Sequence, residues 1–372
     1  MNKKLSRLIE QGRFSKHSFR RWLPLLKDYY FLKRSNEEIP WTQIKERAKH
    51  AASRIGSDFY SAALNKQQKY LEVRFDCHPG SAFFALYVMV LQQLRFAERH
   101  GLIPIVNIDY RHNYYFDTNK NINFWENYFE PIGGRLSTEI KDLHRDDPKS
   151  VTFLDPELQK SLYLGEGDDI PIEYNERTQL WWQRQRQMGA ELTAKYVRIK
   201  PHILAEMEQF YSNHMKEKRV LGVHLRGTEK IVKHDGTLHD VDPFFLVINQ
   251  PAEYFPVVDC YLTKYPESLI FVATDQTQFL DEFKERYGDR VLFTSACRSS
   301  DEQGVFKRSG KGYLSGVEVL VDCLLLAKCD FLIKCQSNVG EVAVFFNPEL
   351  PVIDVMYPVE LQMEQWGLDY RM

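Results

Sequence analysis

The segment Gly222–Lys230, GVHLRGTEK, leaves a β-rich run and enters a glycine-containing loop. Alternation along a strand puts His224 and Arg226 on one face, opposite Val223 and Leu225. Arg226 offers a planar donor fork suited to phosphate, and His224 can donate to a base or a phosphate. Glu229 and Lys230 add a carboxylate and a cation. The competing reading is a strand-end salt-bridge cluster. A second segment runs from Tyr313 to Val344. It places Asp322 inside a strongly apolar helix, where a carboxylate is costly unless paired or hydrogen-bonded. After DFLIKC comes the polar turn Gln336-Ser337-Asn338-Val339-Gly340, which opens a helix and offers backbone N–H groups to an anion. An ordinary helix cap reads equally well there. The third segment, FVATDQ at 271–276, puts Thr274 and Asp275 at a strand end, with capping again the alternative.

The elements that must carry these residues are legible. YLEVRF at 70–75 alternates as a strand, CHPGS turns, SAFFALYVMVLQQLRFAERH runs as a helix to Gly101, and LIPIVNI is a strand, together a βαβ unit. The region 110–215 is less regular: an aromatic-rich loop, turn-rich KDLHRDDPKS and GEGDDIP, then two charged helices separated at Pro201. From Arg219 strands recur with helices between: RVLGVHL, SLIFVAT, RVLFTS, DFLIKC and PVIDV, with helices over QTQFLDEFKERYG, VEVLVDCLLLAKC and GEVAVFFN. This is the doubly wound α/β signature. The expected division is 1–215, an N-terminal helical segment plus a first α/β domain; 216–357, a second α/β domain; and 358–372, a tail. Two such halves facing each other leave a cleft at the carboxyl ends of their strands.

The 372 residues carry a net charge of −2, with 44% hydrophobic and 27% charged residues, which excludes a disordered chain. Near-neutrality argues against a dedicated nucleic-acid binder. Six cysteines without a CxxC pair read as small buried hydrophobes in a reducing compartment. No apolar run approaches the length of a membrane span, and no secretory leader is recognisable, so a cytoplasmic protein is expected. The first 48 residues nevertheless hold an excess of about seven positive charges among apolar side chains. Two readings stand: helices packed on the body, or peripheral contact with an anionic membrane at its inner face.

In this order the three segments resemble the superfamily of core α-1,6-, nodulation and protein O-fucosyltransferases, in its bacterial form. GVHLRGTEK is similar to the family's HxRxTD(K) donor motif, FVATDQ to its ATDD strand, and the stretch from Ser315 through Asp322 to Ser337 to its S…D…S-x-V segment. The resemblance is clearest over 215–357, and weaker over 70–135. It implies a GT-B-like fold and an inverting, metal-independent glycosyltransferase that moves L-fucose from GDP-β-L-fucose to a glycan hydroxyl. It further implies His224 at the guanine and ribose, Arg226 at the donor phosphates, Asp322 at the guanine edge and Ser337 near the β-phosphate. Thr274, Asp275, Lys230 and Asn338 complete the expected donor set.

The chain departs from the pattern in three places. Glu229 stands where the family has Asp. Gly227 stands where many members carry a second Arg, a contact that Lys230 or Arg308 would have to supply. The general base falls in a gapped stretch with candidates His234, Asp235, His239 and Asp240, of which Asp235 ranks first. A departing diphosphate needs its growing charge stabilised, which an Arg with helix N-termini can do, and the acceptor needs a proton-taking group. The Asp240-Val241-Asp242 triplet matches a metal motif too short to outweigh chance, so no metal or cofactor is expected. Tyr110, Tyr114, Tyr115, Phe116, Phe124, Trp125 and the Trp181-Trp182 pair are candidates for stacking on acceptor sugars, with core packing the alternative. Other readings are a different nucleotide sugar on the same scaffold, or an inactive nucleotide- or glycan-binding homologue.

Overall fold

A computed structural model describes residues 67–75, 82–108, 115, 123–154, 159, 174–227, 250–300 and 312–368, all within one compact unit. The basic N-terminal segment, residues 228–249 and Arg308 lie outside the described residues.

The first sheet is built from β1 (Tyr70–Val73), β2 (Ile103–Val106) and β3 (Val151–Phe153), in the order β2-β1-β3 with both pairings parallel. Helix α1 (Phe83–His100) crosses from β1 to β2, and Gly101 caps it, as the sequence predicts. Helices α2 (Phe124–Tyr128) and α3 (Glu139–Asp146) precede β3. The aromatic loop and the turn-rich KDLHRDDPKS are therefore corrected: each holds a helix. In α3 only Ile140 is buried, so no apolar period marks the helix.

Helix α4 (Glu176–Tyr196) and α5 (Pro201–Phe210), with Pro201 in the first turn of α5, lead through a π-helical turn at Tyr211–Met215 to the second sheet. There β4 (Val220–Leu225), β5 (Leu269–Thr274), β6 (Val291–Leu292), β7 (Phe331–Lys334) and β8 (Val352–Asp354) pair in parallel as β6-β5-β4-β7-β8. Helix α6 (Pro251–Lys264) precedes β5, α7 (Thr277–Tyr287) follows it, α8 (Tyr313–Ala327) precedes β7, α9 (Asn338–Phe346) follows β7, and α10 (Val359–Gln365) follows β8. The sequence pattern does not mark α6, because Pro251 and Pro256 read as breakers. Pro251 opens the helix, where its missing N–H costs nothing. The expected strand RVLFTS shrinks to Val291–Leu292.

Leu221, Val223 and Leu225 of β4 pack with Tyr254, Val257 and Ile270 in the core on one face of this sheet. Met363 of α10 and Leu368 join the same core. Buried aromatics build the other core: Phe83 meets Phe84, Tyr115, Phe124 and Tyr128 edge to face. Phe124 and Trp125 are fully buried, so core packing, not sugar stacking, accounts for them. No helix among the described residues is long and apolar enough to cross a membrane.

Candidate active site

Strand order reverses at β4: β5 and β6 lie to one side, β7 and β8 to the other. Open parallel sheets bind ligands at such a switch point, beyond the carboxyl ends of the strands. A cleft opens there, and His224, Arg226, Thr274, Asp275, Asp322, Ser337 and Asn338 all line it. Residues distant in sequence are thus gathered at one place.

Each side chain has a local reason for its position. With Val223 and Leu225 turned into the core, His224 falls on the other face of β4 and is 4% exposed. Its Nδ1 lies 3.7 Å from Cys335 Sγ, and its carbonyl accepts the Cys335 N–H at 3.2 Å and the Tyr254 hydroxyl at 3.2 Å. Cys323, Cys329 and Cys335 are buried, as expected, but Cys335 has a task besides filling space: it packs on the His224 ring.

Arg226 leaves the strand next. Gly227 follows, and its N–H donates to Asp275 Oδ1 at 2.9 Å. A Cβ at 227 would come within 2.6 Å of Gln276 Cγ and 2.9 Å of Phe279 Cε2. A side chain there would therefore require the Gln276 and Phe279 side chains to shift. Thr274 Oγ1 accepts the Gln276 N–H at 3.2 Å, fixing the same corner.

Asp322 is 7% exposed and accepts the Thr294 hydroxyl at 2.6 Å. Burial pushes its carboxyl up to about 6; the Thr294 bond and the charge of Arg298 pull down, and Glu318 pushes up. Ser337 caps α9, its Oγ accepting the Val339 N–H at 3.4 Å. The capping reading therefore holds, and the same residue still lines the cleft. Ala82 to Ala85, the opening of α1, and Tyr115 form the facing wall. Ala82 makes no side-chain cap. Two helix N-termini and Arg226 thus border one cleft, a positive field suited to a diphosphate.

Behind α9 lies a network absent from the sequence reading. Lys334, at 0% exposure, pairs with Asp354 and with Glu341, the latter at 2.5 Å. Glu341 also receives Arg186 Nε at 3.0 Å and Nη2 at 3.1 Å. Burial opposes the charge on Glu341, but Arg186 and Lys334 hold its carboxyl down at about 2. Trp182 donates to the Tyr357 hydroxyl at 2.9 Å and covers Arg186 and Lys334, which ties it to this network. The sequence signal was available: a lysine inside the apolar strand Phe331–Lys334.

The sequence reading also missed Glu318 and Cys297, both on the cleft wall. Glu318 stands four residues before Asp322 in an apolar helix, a spacing that could have revealed it. Glu229, Lys230, Asp235 and the other base candidates lie outside the described residues. Among the described residues no group of three or more His, Cys, Asp or Glu could hold a metal ion.

Residues 177–344 match the family described as alpha-(1,6)-fucosyltransferase N- and catalytic domains. Over this segment, somewhat less than half of the chain, the sequence is similar to that family. The matched segment holds every cleft residue from His224 to Asn338. Solved structures of fucosyltransferases are similar to the chain as well. NodZ α-1,6-fucosyltransferase co-crystallised with GDP shows 16% identity, a TM-score of 0.45, and coverage of 77% of this chain and 94% of its own. NodZ from Bradyrhizobium is also among them. POFUT1 in complex with GDP shows 11% identity and a TM-score of 0.41, covering 78% and 99%. An Arabidopsis thaliana FUT1 variant in complex with GDP shows 10% and 0.42, covering 88% and 82%. No curated protein matched by sequence.

Proposed function

We propose that this chain transfers L-fucose from GDP-β-L-fucose to a glycan hydroxyl, with inversion and without a metal ion, on a GT-B-like scaffold. The observation that carries this reading is the convergence of His224, Arg226, Asp322 and Ser337 on one cleft inside the matched segment. Superfamily structures crystallised with GDP accord with the choice of nucleotide. Asp322 and His224 hold the guanosine, and Arg226 with the α9 N-terminus holds the diphosphate.

In the reaction the acceptor oxygen attacks C1 of fucose from the face opposite the nucleotide. The C1–O bond to the β-phosphate breaks, GDP departs with that electron pair, and the acceptor proton passes to a carboxylate. Asp235 is the proposed base, and Glu229 is a second proposed catalytic carboxylate. Charge growing on the β-phosphate meets Arg226 and the helix dipole, an arrangement that does the work a metal ion does elsewhere. Gly227 supplies no second Arg, so Arg226, helped by Lys230, carries that task.

On this reading the enzyme works in the cytoplasm, and its basic N-terminal segment touches the inner face of an anionic membrane. The test is incubation of the purified chain with GDP-fucose and an acceptor panel. Release of GDP with formation of an α-fucoside supports the proposal. Transfer from UDP- or ADP-sugars alone contradicts it. Salt-sensitive co-sedimentation with anionic liposomes tests the membrane contact, and no binding at low salt removes it.

A further inference from the structure

Glu318 precedes Asp322 by four residues on α8, and both line the cleft. Residues at this spacing share a helix face, with Cβ atoms about 5–6 Å apart. Two carboxylates are therefore presented to one ligand. Their oxygens are engaged differently. Asp322 accepts the Thr294 hydroxyl on Oδ1, and Glu318 accepts the Cys297 backbone N–H on Oε2 at 3.2 Å. That second bond pins the Glu318 carboxylate and leaves its Oε1 without a protein donor among the described residues. Packing does not need the charge: Glu318 is half-buried, and a neutral oxygen would satisfy Cys297 equally. Like charges four apart on a helix cost stability, so a ligand donor is the physical reason to keep both.

A guanine nucleotide carries more donors than one carboxylate can accept. The base presents N1–H and an exocyclic amine, and the ribose presents two hydroxyls. We propose that Glu318 is a specificity-determining residue of the nucleotide site, its Oε1 accepting a nucleoside donor, the exocyclic amine or a ribose hydroxyl, that Asp322 leaves unpaired. This rests on the guanine-nucleotide reading above.

The test is calorimetric titration of wild type, Glu318→Gln and Glu318→Asp with GDP, IDP, which lacks the exocyclic amine, and 2′-deoxy- and 3′-deoxy-GDP. Wild type should prefer GDP over at least one of these analogues by about tenfold, the worth of one such bond. Glu318→Gln turns an amide toward the donor, and Glu318→Asp withdraws the oxygen by one methylene. Both should weaken GDP about tenfold and abolish that preference, while ligand-free melting stays the same or rises in Glu318→Gln. Collapse against IDP assigns the amine, and collapse against a deoxynucleotide assigns that hydroxyl. Unchanged GDP affinity and unchanged preferences in both variants overturn the proposal. Failure of the wild type to bind GDP overturns the underlying reading instead.

Discussion

Asp275 holds the loop after β4 by accepting the Gly227 N–H at 2.9 Å. This bond crosses from the end of β5 to the residue after Arg226, so one carboxylate sets where the guanidinium leaves the sheet. Asp275 thus acts through the backbone, in addition to its place on the cleft wall. Asp275→Ala should leave a part-buried N–H unpaired, costing about 1–3 kcal/mol. The donor KM should rise more than kcat falls, because Arg226 is misplaced and not removed. Steady-state kinetics with varied donor check this.

Gly227 makes the complementary prediction. Gly227→Ala would drive its Cβ against Gln276 and Phe279. Overpacking of this kind costs about 1–3 kcal/mol, so the melting temperature should fall. Gly227→Arg, the second arginine that the sequence resemblance leads one to expect there, should lower stability further and should not raise the transfer rate. Thermal melts and a donor-saturated rate test both points.

Arg226→Ala should leave melting nearly unchanged and reduce transfer by about 10²–10³-fold, the scale for losing one charge-stabilising donor. Activity should survive exhaustive chelation in the wild type. Loss of activity with EDTA, restored by a divalent cation, would contradict charge neutralisation by Arg226 and the α9 N-terminus.

Asp322 carries a pH signature. Its carboxyl is raised from 3.8 to about 6, chiefly by burial. Folding therefore disfavours its charge. The stability linked to this group is full below pH 4 and is lost as pH rises through 6, on the order of 3 kcal/mol. Asp322→Asn should accordingly raise the melting temperature at pH 7.5 while weakening GDP. Nucleotide binding has the opposite dependence. The ionised carboxylate is the better acceptor for the guanine N–H edge, so wild-type GDP affinity should fall as pH drops from 7 through 6. Calorimetry at pH 5.5, 6.5 and 7.5 reads both slopes.

The Lys334 network predicts asymmetry between single and paired changes. Lys334→Met alone leaves Asp354 and Glu341 with less compensation, and should cost about 3–5 kcal/mol. Removing one partner charge as well, by Asp354→Asn in the same chain, should recover part of that loss, since Glu341 keeps Arg186. Chemical denaturation of the single and double variants measures the difference.

What the sequence disclosed follows the strength of its periodicities. Strands such as Val220–Leu225 and Leu269–Thr274 are apolar runs bounded by turns, and they lie within a residue or two of their expected limits. His224 and Arg226 could be placed together because a strand alternates. Asp322 stood out because a carboxylate in an apolar helix demands an explanation. By contrast, α3 buries one residue and β3 spans three, so neither leaves a period to read. The partner of Asp322, Thr294, follows a two-residue strand, and no local pattern announces a contact made across 28 positions. Gly227 read as a lost phosphate contact. The space around it shows a steric reason, visible only when β4 and β5 are side by side.

The most direct test of the central claim is binding of GDP, UDP and ADP to the wild-type chain, measured by calorimetry beside Asp322→Ala. The account predicts that GDP binds at least tenfold more tightly than either competitor, and that this preference disappears in the variant. Equal affinity for the three nucleotides in the wild type, or full GDP preference retained without Asp322, would contradict it.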